Sequence, residues 1–160
     1  KFTTAADTPR GAIAAQVAAA HEELRAMSEA ITLLKLYNAG SFFDPRAVPE
    51  SDYEDVAAAL VGLTQVVVES HPSLVGPRVD RFLAALKRRT AQGTSTVQLE
   101  VAMGLETVHP QALDRLNKRM TVEDFLLAAR MLRERGATLR TFLLIWPPVV
   151  LGLAVLLFGL

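Results

Sequence analysis

Short apolar runs alternate with helical segments along this chain, and the alternation restricts its fold more than any other feature. Residues 31–37, 65–68, 97–105 and 139–145 have the length and β-branched content of buried strands. Segments with apolar residues at helical spacing separate them, at intervals of roughly 30 residues. Strands joined in this way pair in parallel through right-handed crossovers. We therefore predict an α/β fold, a partial βα barrel with about four parallel strands and flanking helices.

Capping residues mark the ends of several predicted helices. Ser51 and Asp52 can cap a helix that begins beside them, because their side-chain oxygens accept hydrogen bonds from free backbone N–H groups. Thr121 and Asp124 have the spacing of a capping box, which predicts the start of another helix. Gly136 stands where that helix would end in a left-handed residue. These helices have the length of crossovers between neighbouring strands.

Polar residues cluster directly after three of the four predicted strands. Glu69 and His71 follow the second strand, and Glu106 and His109 follow the third. The first strand is followed by a run whose small residues let a backbone approach a ligand closely, namely Asn38, Ala39, Gly40 and Ser41. The carboxyl ends of parallel strands share one edge of the sheet, where α/β proteins bind ligands. Together with Lys118, these groups predict a site for a zwitterionic, hydroxyl-bearing ligand.

Each of these side chains also has a purely structural interpretation. Glu106 could cap the following helix or form an ion pair with Arg115 or Lys118. His71 and His109 are each followed by proline, which is typical of capping residues at a strand-to-helix turn. We therefore favour a capping or hydrogen-bonded loop role over a catalytic one for both histidines, and we assign no catalytic residue.

Composition narrows the chemistry that these residues can perform. Seventeen basic and seventeen acidic residues give a formal net charge of zero, so no overall field attracts nucleic acid or an anionic membrane. The sequence contains no cysteine, and its three histidines are too dispersed to form a zinc motif. Disulfides, cysteine nucleophiles and thiolate metal sites are therefore excluded within these residues.

The two ends of the chain bear on its location in the cell. No charged-then-apolar signal segment follows Lys1, which favours a cytoplasmic protein. Residues 143–160 are apolar and uncharged, close to the length of a membrane span, but Pro147 and Pro148 interrupt them. We predict an α/β domain over residues 1–146 and an apolar segment of undecided role over 147–160. Membrane contact through this segment is an open alternative that we do not favour.

The chain resembles the central part of radical S-adenosylmethionine (SAM) enzymes in three ordered segments, which read YNAGSFFD, VVVESHP and LEVAMGLETVHPQALDRLNKRMTVEDFLLAARMLRERGATLR. The resemblance extends over about residues 8–147. It is closest to a branch that contains the radical enzyme of archaeosine synthesis and the elongator catalytic subunit. It implies reductive cleavage of SAM to a 5′-deoxyadenosyl radical, which abstracts hydrogen from a substrate such as a transfer RNA nucleoside.

The resemblance also implies cofactor-binding roles for the residues that match the family's pattern. Residues 38–41 and Glu69 would hold the methionyl amino group of SAM. Glu106 would contact the ribose, and Lys118 would pair with the methionyl carboxylate. The chain departs from the pattern at residues 141–142, where some relatives carry a further ribose-binding acid.

The larger departure from the family's pattern is that this chain lacks the family's three cysteines. Three cysteines in CxxxCxxC spacing hold a 4Fe–4S cluster in these enzymes, and they would lie just before Lys1. We therefore expect a fragment that binds SAM but is inactive as it stands, with transfer RNA or a second subunit as partner of the full-length protein. Two alternatives from other classes are a cluster-free α/β module that binds nucleosides and a membrane-associated interaction protein.

Overall fold

The computed structural model describes residues 8–26, 31–38, 40–90 and 96–144, in which strands and helices alternate as the sequence predicts. The strands are β1 (Leu33–Leu36), β2 (Gln65–Glu69), β3 (Gln98–Glu106) and β4 (Thr138–Leu143). The helices are α1 (Ala12–Ala26), α2 (Tyr53–Ala59), α3 (Pro77–Thr90), α4 (Pro110–Arg115) and α5 (Val122–Glu134). Short 3₁₀ turns at Glu50–Asp52 and Pro72–Leu74 precede α2 and α3.

The four strands form one parallel sheet in the order β1-β2-β3-β4, which confirms the predicted α/β class. Neighbours in sequence are neighbours in the sheet, as in a βα barrel, whereas a doubly wound sheet reverses its order at a switch point. The register places Glu69 of β2 opposite Ala102 of β3, and Ala102 opposite Arg140 of β4. These three residues therefore lie in one row across the sheet.

One face of the sheet packs against helices and holds the hydrophobic core. Val66 and Val68 of β2 belong to this core, because alternate residues of a strand point to the same face. The core also contains Leu99, Val101 and Met103 of β3, each of which is at most 1% exposed. The helix side chains in the core include Val17, Val56, Phe82 and Phe125.

Four aromatic rings pack together within this core. The ring centroid of Phe42 lies 4.9 Å from that of Phe82 and 5.3 Å from that of Phe43. Tyr53 stacks on Phe42 at 5.9 Å, and its buried hydroxyl has no hydrogen-bond partner within the described residues. Burial, with a smaller contribution from the Glu50 carboxylate, raises the pKa of Tyr53 above its ordinary value. The hydroxyl therefore stays protonated at neutral pH.

The opposite face of the sheet carries charged side chains, and we call it the polar face. Glu100 of β3 is only 9% exposed. Its carboxylate accepts hydrogen bonds from the Gln65 amide of β2 and from the Arg140 guanidinium of β4. Glu69 has the same strand parity as Gln65, so it lies on this face, at the carboxyl end of β2.

Side-chain hydrogen bonds define the start of α5. Thr121 Oγ1 accepts a hydrogen bond from the Asp124 N–H at 3.1 Å, and the Asp124 carboxylate accepts one from the Thr121 N–H at 2.9 Å. Gly136 follows the helix with a left-handed φ of 77°. Both the predicted capping box and the predicted left-handed end are therefore confirmed.

Asp52 binds a different helix from the one predicted. No side-chain hydrogen bond from Asp52 caps α2. Instead its carboxylate, which is fully buried, accepts a hydrogen bond from the Gly11 N–H at 2.7 Å. Gly11 directly precedes α1, so the acceptor comes from a residue 41 positions away. The prediction that Ser51 and Asp52 cap the second helix is wrong, because tertiary packing offers this carboxylate a donor outside its own helix.

Some sequence predictions concern residues outside the described ranges. The predicted boundary at residue 146, the apolar segment after it and Ala39 all lie there. Among the residues that are described, no helix is long and apolar enough to cross a membrane.

Candidate functional site

A cavity of about 380 Å³ opens where the four strands end. This volume is within the range of pockets that hold small molecules and cofactors. Every strand contributes to its lining, through Asn38 after β1, Glu69 of β2, Glu106 of β3 and Phe142 of β4. The other lining residues are Gly40, Ser41, Ser70, His71, Pro72, Gly104 and Lys118.

Glu106 ends β3 in a left-handed backbone conformation. Its φ is 65°, and the register between β3 and β4 shifts between Gly104 and Glu106. A residue other than glycine in this conformation costs about 1–3 kcal/mol, and such strain is concentrated at functional sites. Bulges of this kind redirect a side chain, and here the Glu106 carboxylate lines the cavity.

The Glu106 carboxylate forms an ion pair with Lys118, with 2.6 Å between Oε1 and Nζ. This is one of the structural roles that the sequence left open for Glu106. The capping role is absent, since His109 occupies the N-cap position of α4. Lys118 itself lies between two left-handed residues, Asn117 and Arg119, with φ of 52° and 53°. The loop that presents the ammonium group is thus also strained.

His71 connects three parts of the cavity rim. Its Nδ1 accepts a hydrogen bond from the Ser73 N–H at 3.2 Å, which confirms the predicted capping role. The ring proton therefore lies on Nε2, which donates to the Lys118 carbonyl at 2.9 Å. The His71 backbone N–H donates to Ser41 Oγ at 2.8 Å. His71 thereby links the loop after β1 and the end of β2 to the Lys118 loop.

Two hydrogen-bond acceptors in the cavity have no partner within the described part of the chain. One is the Glu69 carboxylate, and the other is Oδ1 of Asn38, which is buried. The Glu69 backbone carbonyl does accept a hydrogen bond, from Phe42 N–H at 2.8 Å, so the position of Glu69 is held by its main chain. Both acceptors suit an ammonium or hydroxyl group.

Gly104 lines the cavity, although it is not among the residues predicted from the sequence. A Cβ at this position would lie 2.6 Å from Glu106 Oε1 and 3.0 Å from Lys118 Nζ. Glycine therefore leaves the space that the ion pair occupies. A glycine within a strand pattern is the sequence signal that indicates such a close approach.

The structure brings most of the predicted site residues to one cavity. Those that line it are Asn38, Gly40, Ser41, Glu69, Glu106 and Lys118. Ala39 lies outside the described residues, and His109 is exposed and does not line the cavity. Among the described residues, no three side chains of the metal-binding types come together.

Two curated proteins are similar to most of this chain. It is 30% identical over 118 residues to the archaeosine synthase subunit beta of Thermococcus kodakarensis, covering 71% of this chain and 34% of that protein. It is 29% identical over 120 residues to the archaeosine synthase subunit beta of Methanosarcina acetivorans, covering 72% of this chain and 32% of that protein. The chain thus spans about a third of the length of these relatives, and it is a distant homologue of part of them.

No protein-family model matches the chain, and no solved structure matches it significantly.

Proposed function

We propose that the cavity binds S-adenosylmethionine and that the chain is the cofactor-binding part of a radical SAM enzyme that modifies transfer RNA. One observation carries the proposal. Two acceptors without a partner among the described residues line the same cavity as the Glu106 carboxylate and the Lys118 ammonium group. The cavity lies at the strand ends where the sequence resemblance expects the cofactor. The similarity to two archaeosine synthase subunits supports a transfer RNA substrate and a second subunit as partner.

The residues of the cavity fit the functional groups of SAM. The Glu69 carboxylate and Asn38 Oδ1 would accept hydrogen bonds from the methionyl ammonium group. While their ion pair persists, Lys118 would pair with the methionyl carboxylate through its remaining N–H groups, and Glu106 would accept from the ribose hydroxyls through Oε2. Gly40 and Ser41, which follow Ala39, would bring the backbone close to the methionyl group. The chain's own contribution is therefore to bind and orient the cofactor.

The radical chemistry needs more than these residues. SAM supplies a 5′-deoxyadenosyl radical when an iron–sulfur cluster reduces it. The 160 residues contain no cysteine, so they offer no thiolate ligand for a 4Fe–4S cluster. We propose that the cluster ligands belong to a part of the protein beyond this sequence.

Calorimetric titration of the chain tests the binding proposal. SAM should bind, and adenosine or methionine alone should bind at least about tenfold more weakly, because each lacks half of the contacts. Glu69→Gln and Lys118→Met should each weaken SAM binding by about tenfold. Glu123→Gln is the matched control, because Glu123 is exposed on α5 and does not line the cavity.

Other outcomes separate the alternatives. Adenosine that binds as tightly as SAM would point to a nucleoside-binding module instead. Unchanged binding in both site variants would contradict the assignment of the cavity.

The enzyme proposal is tested by the reading frame upstream of Lys1. We expect three cysteines in CxxxCxxC spacing within about ten residues, the length of one loop. An upstream frame without this triad would overturn the radical SAM proposal, while the binding proposal would still depend on the titration.

A further inference from the structure

Arg140 makes an incomplete ion pair on the polar face of the sheet. Its Nε donates to Glu100 Oε1, while Oε2 of the same carboxylate accepts from Gln65. An arginine that only neutralises a carboxylate commonly pairs with both of its oxygens. Here Gln65 takes the second oxygen, and the two Nη groups of Arg140 have no hydrogen-bond partner within the described residues.

The guanidinium is both held in place and accessible. The side chain of Glu100 is 12% exposed, and that of Arg140 is 35% exposed. The hydrogen bond to Glu100 is the main reason why the pKa of Arg140 is raised. A buried carboxylate that is itself anchored by a second strand therefore fixes one edge of the guanidinium and leaves the other edge open.

Arg140 lies next to the candidate cofactor cavity. In the sheet register Arg140 stands opposite Ala102, and Ala102 stands opposite Glu69, which lines the cavity. Ala102 puts only a methyl group between the two charged residues. Phe142, two residues after Arg140 on the same strand, also lines the cavity. A ligand that extends from the cavity across the polar face would reach Arg140.

We propose that the free edge of Arg140 is an anion subsite that binds the oxygen pair of a phosphate or carboxylate on the substrate. Planar guanidinium groups match such oxygen pairs through two parallel hydrogen bonds. Glu100 and Gln65 are positioning residues, since they hold the guanidinium without touching the anion. This subsite does not depend on SAM binding in the cavity, so its test uses no SAM.

Nuclear magnetic resonance of the ¹⁵N-labelled chain tests the subsite. The Nε–H signal of Arg140 is identified by its loss in Arg140→Gln, and the chain is titrated with sodium phosphate or sodium acetate at constant ionic strength. We expect a saturable shift of the Arg140 signal. If only phosphate saturates the signal, the subsite binds a phosphate group. If only acetate does so, it binds a carboxylate. If both do so, the subsite recognises the oxygen pair that the two anions share.

Variants make the test specific. Arg140→Lys keeps the charge but loses the fork, and should weaken anion binding by about tenfold. Because lysine has no guanidinium Nε–H group, binding to this variant is followed at the backbone N–H signals of residue 140 and its neighbours. Arg46→Gln is the matched control, because the Arg46 side chain is 81% exposed, and it should leave the Arg140 shift unchanged. The absence of a saturable shift in the unmodified chain, or equal shifts at Arg46 and Arg140, would overturn the proposal.

Discussion

The ion pair between Glu106 and Lys118 occupies the space that a side chain at position 104 would need. Gly104 lies on β3, and a Cβ added to it would lie 2.6 Å from the Glu106 carboxylate. The atom in the way is the end of a flexible side chain, so it can move. A methyl group at this position should therefore disturb the site much more than the fold.

We expect Gly104→Ala to weaken SAM binding by about tenfold and to change the free energy of unfolding by less than about 1 kcal/mol. Calorimetry measures the first quantity and urea denaturation the second. Gly76→Ala is the control, because no atom lies within 4 Å of a Cβ at Gly76. SAM binding as tight as that of the unmodified chain would show that the ion pair tolerates displacement.

Tyr53 buries a hydroxyl group that has no partner in the described part of the chain. Burying a hydroxyl without a hydrogen bond costs free energy, so Tyr53→Phe should stabilise the fold by about 1 kcal/mol. Tyr37→Phe should have little effect, because Tyr37 is 47% exposed. Thermal denaturation at neutral pH compares the two variants, and a destabilised Tyr53→Phe would mean that the hydroxyl has a partner.

The same tyrosine makes stability depend on alkaline pH. Burial raises the pKa of Tyr53 in the folded chain, so the unfolded chain loses its phenol proton first as pH rises. Stability is therefore retained below the ordinary tyrosine pKa of about 10 and falls above it. The gap in stability between Tyr53→Phe and the unmodified chain should widen from about pH 9 to about pH 11. A constant gap over this range would contradict the raised pKa.

Polar contacts between secondary-structure elements differ greatly in how much they contribute to the stability of the fold. The ion pairs of Glu50 with Arg78 and of Asp80 with Arg135 join elements at the surface, with N–O distances of 2.9 and 2.7 Å. Ion pairs that remain in contact with water contribute about 0–1 kcal/mol. The bond from Gly11 N–H to the Asp52 carboxylate attaches the start of α1 to α2, and its acceptor is fully buried.

We expect Asp52→Ala to destabilise the fold by about 1–3 kcal/mol, because it leaves the Gly11 N–H group without its acceptor. Asp55→Ala is the matched control in the first turn of α2, where the carboxylate is exposed. Urea denaturation should show a loss in Asp52→Ala that is clearly larger than in Asp55→Ala. Equal losses would indicate that only the charge at the start of α2 matters.

At the scale of the whole molecule, the hydrophobic core and the proposed binding residues lie on opposite faces of the sheet. The helix-covered face holds the hydrophobic core, including the fully buried Leu132 of α5. The polar face and the strand ends carry Glu69, Glu100, Glu106 and Arg140. The same division is typical of βα barrels, in which loops at the carboxyl ends of the strands bind ligands.

This division predicts that a substitution can change the stability of the fold without changing ligand binding, and the reverse. Leu132→Ala should destabilise the fold by about 2–5 kcal/mol, because it removes buried methyl groups and leaves a cavity. Glu69→Gln should change stability by less than about 0.5 kcal/mol while it weakens SAM binding. Denaturation and calorimetry on both variants provide the comparison. A large loss of stability in Glu69→Gln would contradict the division between the two faces.

The sequence by itself determined the features that depend on a few neighbouring residues. The strand at Gln65–Glu69, the capping box of Thr121 and Asp124 and the left-handed Gly136 follow from local patterns, and the structure contains each of them. The parallel order of the strands also follows, because helical crossovers of this length leave few other arrangements. Polar residues after three of the strands were enough to predict the end of the sheet at which the cavity lies.

Tertiary structure alone decided which of the possible partners meet. Asp52 accepts its hydrogen bond from Gly11, 41 residues away, and Arg140 bonds to Glu100 on the neighbouring strand, 40 residues away. Glu106 reaches Lys118 because a register shift and a left-handed backbone redirect its side chain. Such contacts depend on strand register and on the space that distant residues leave free. Periodicity and capping patterns contain no information on either, because they act within one or two turns of the chain.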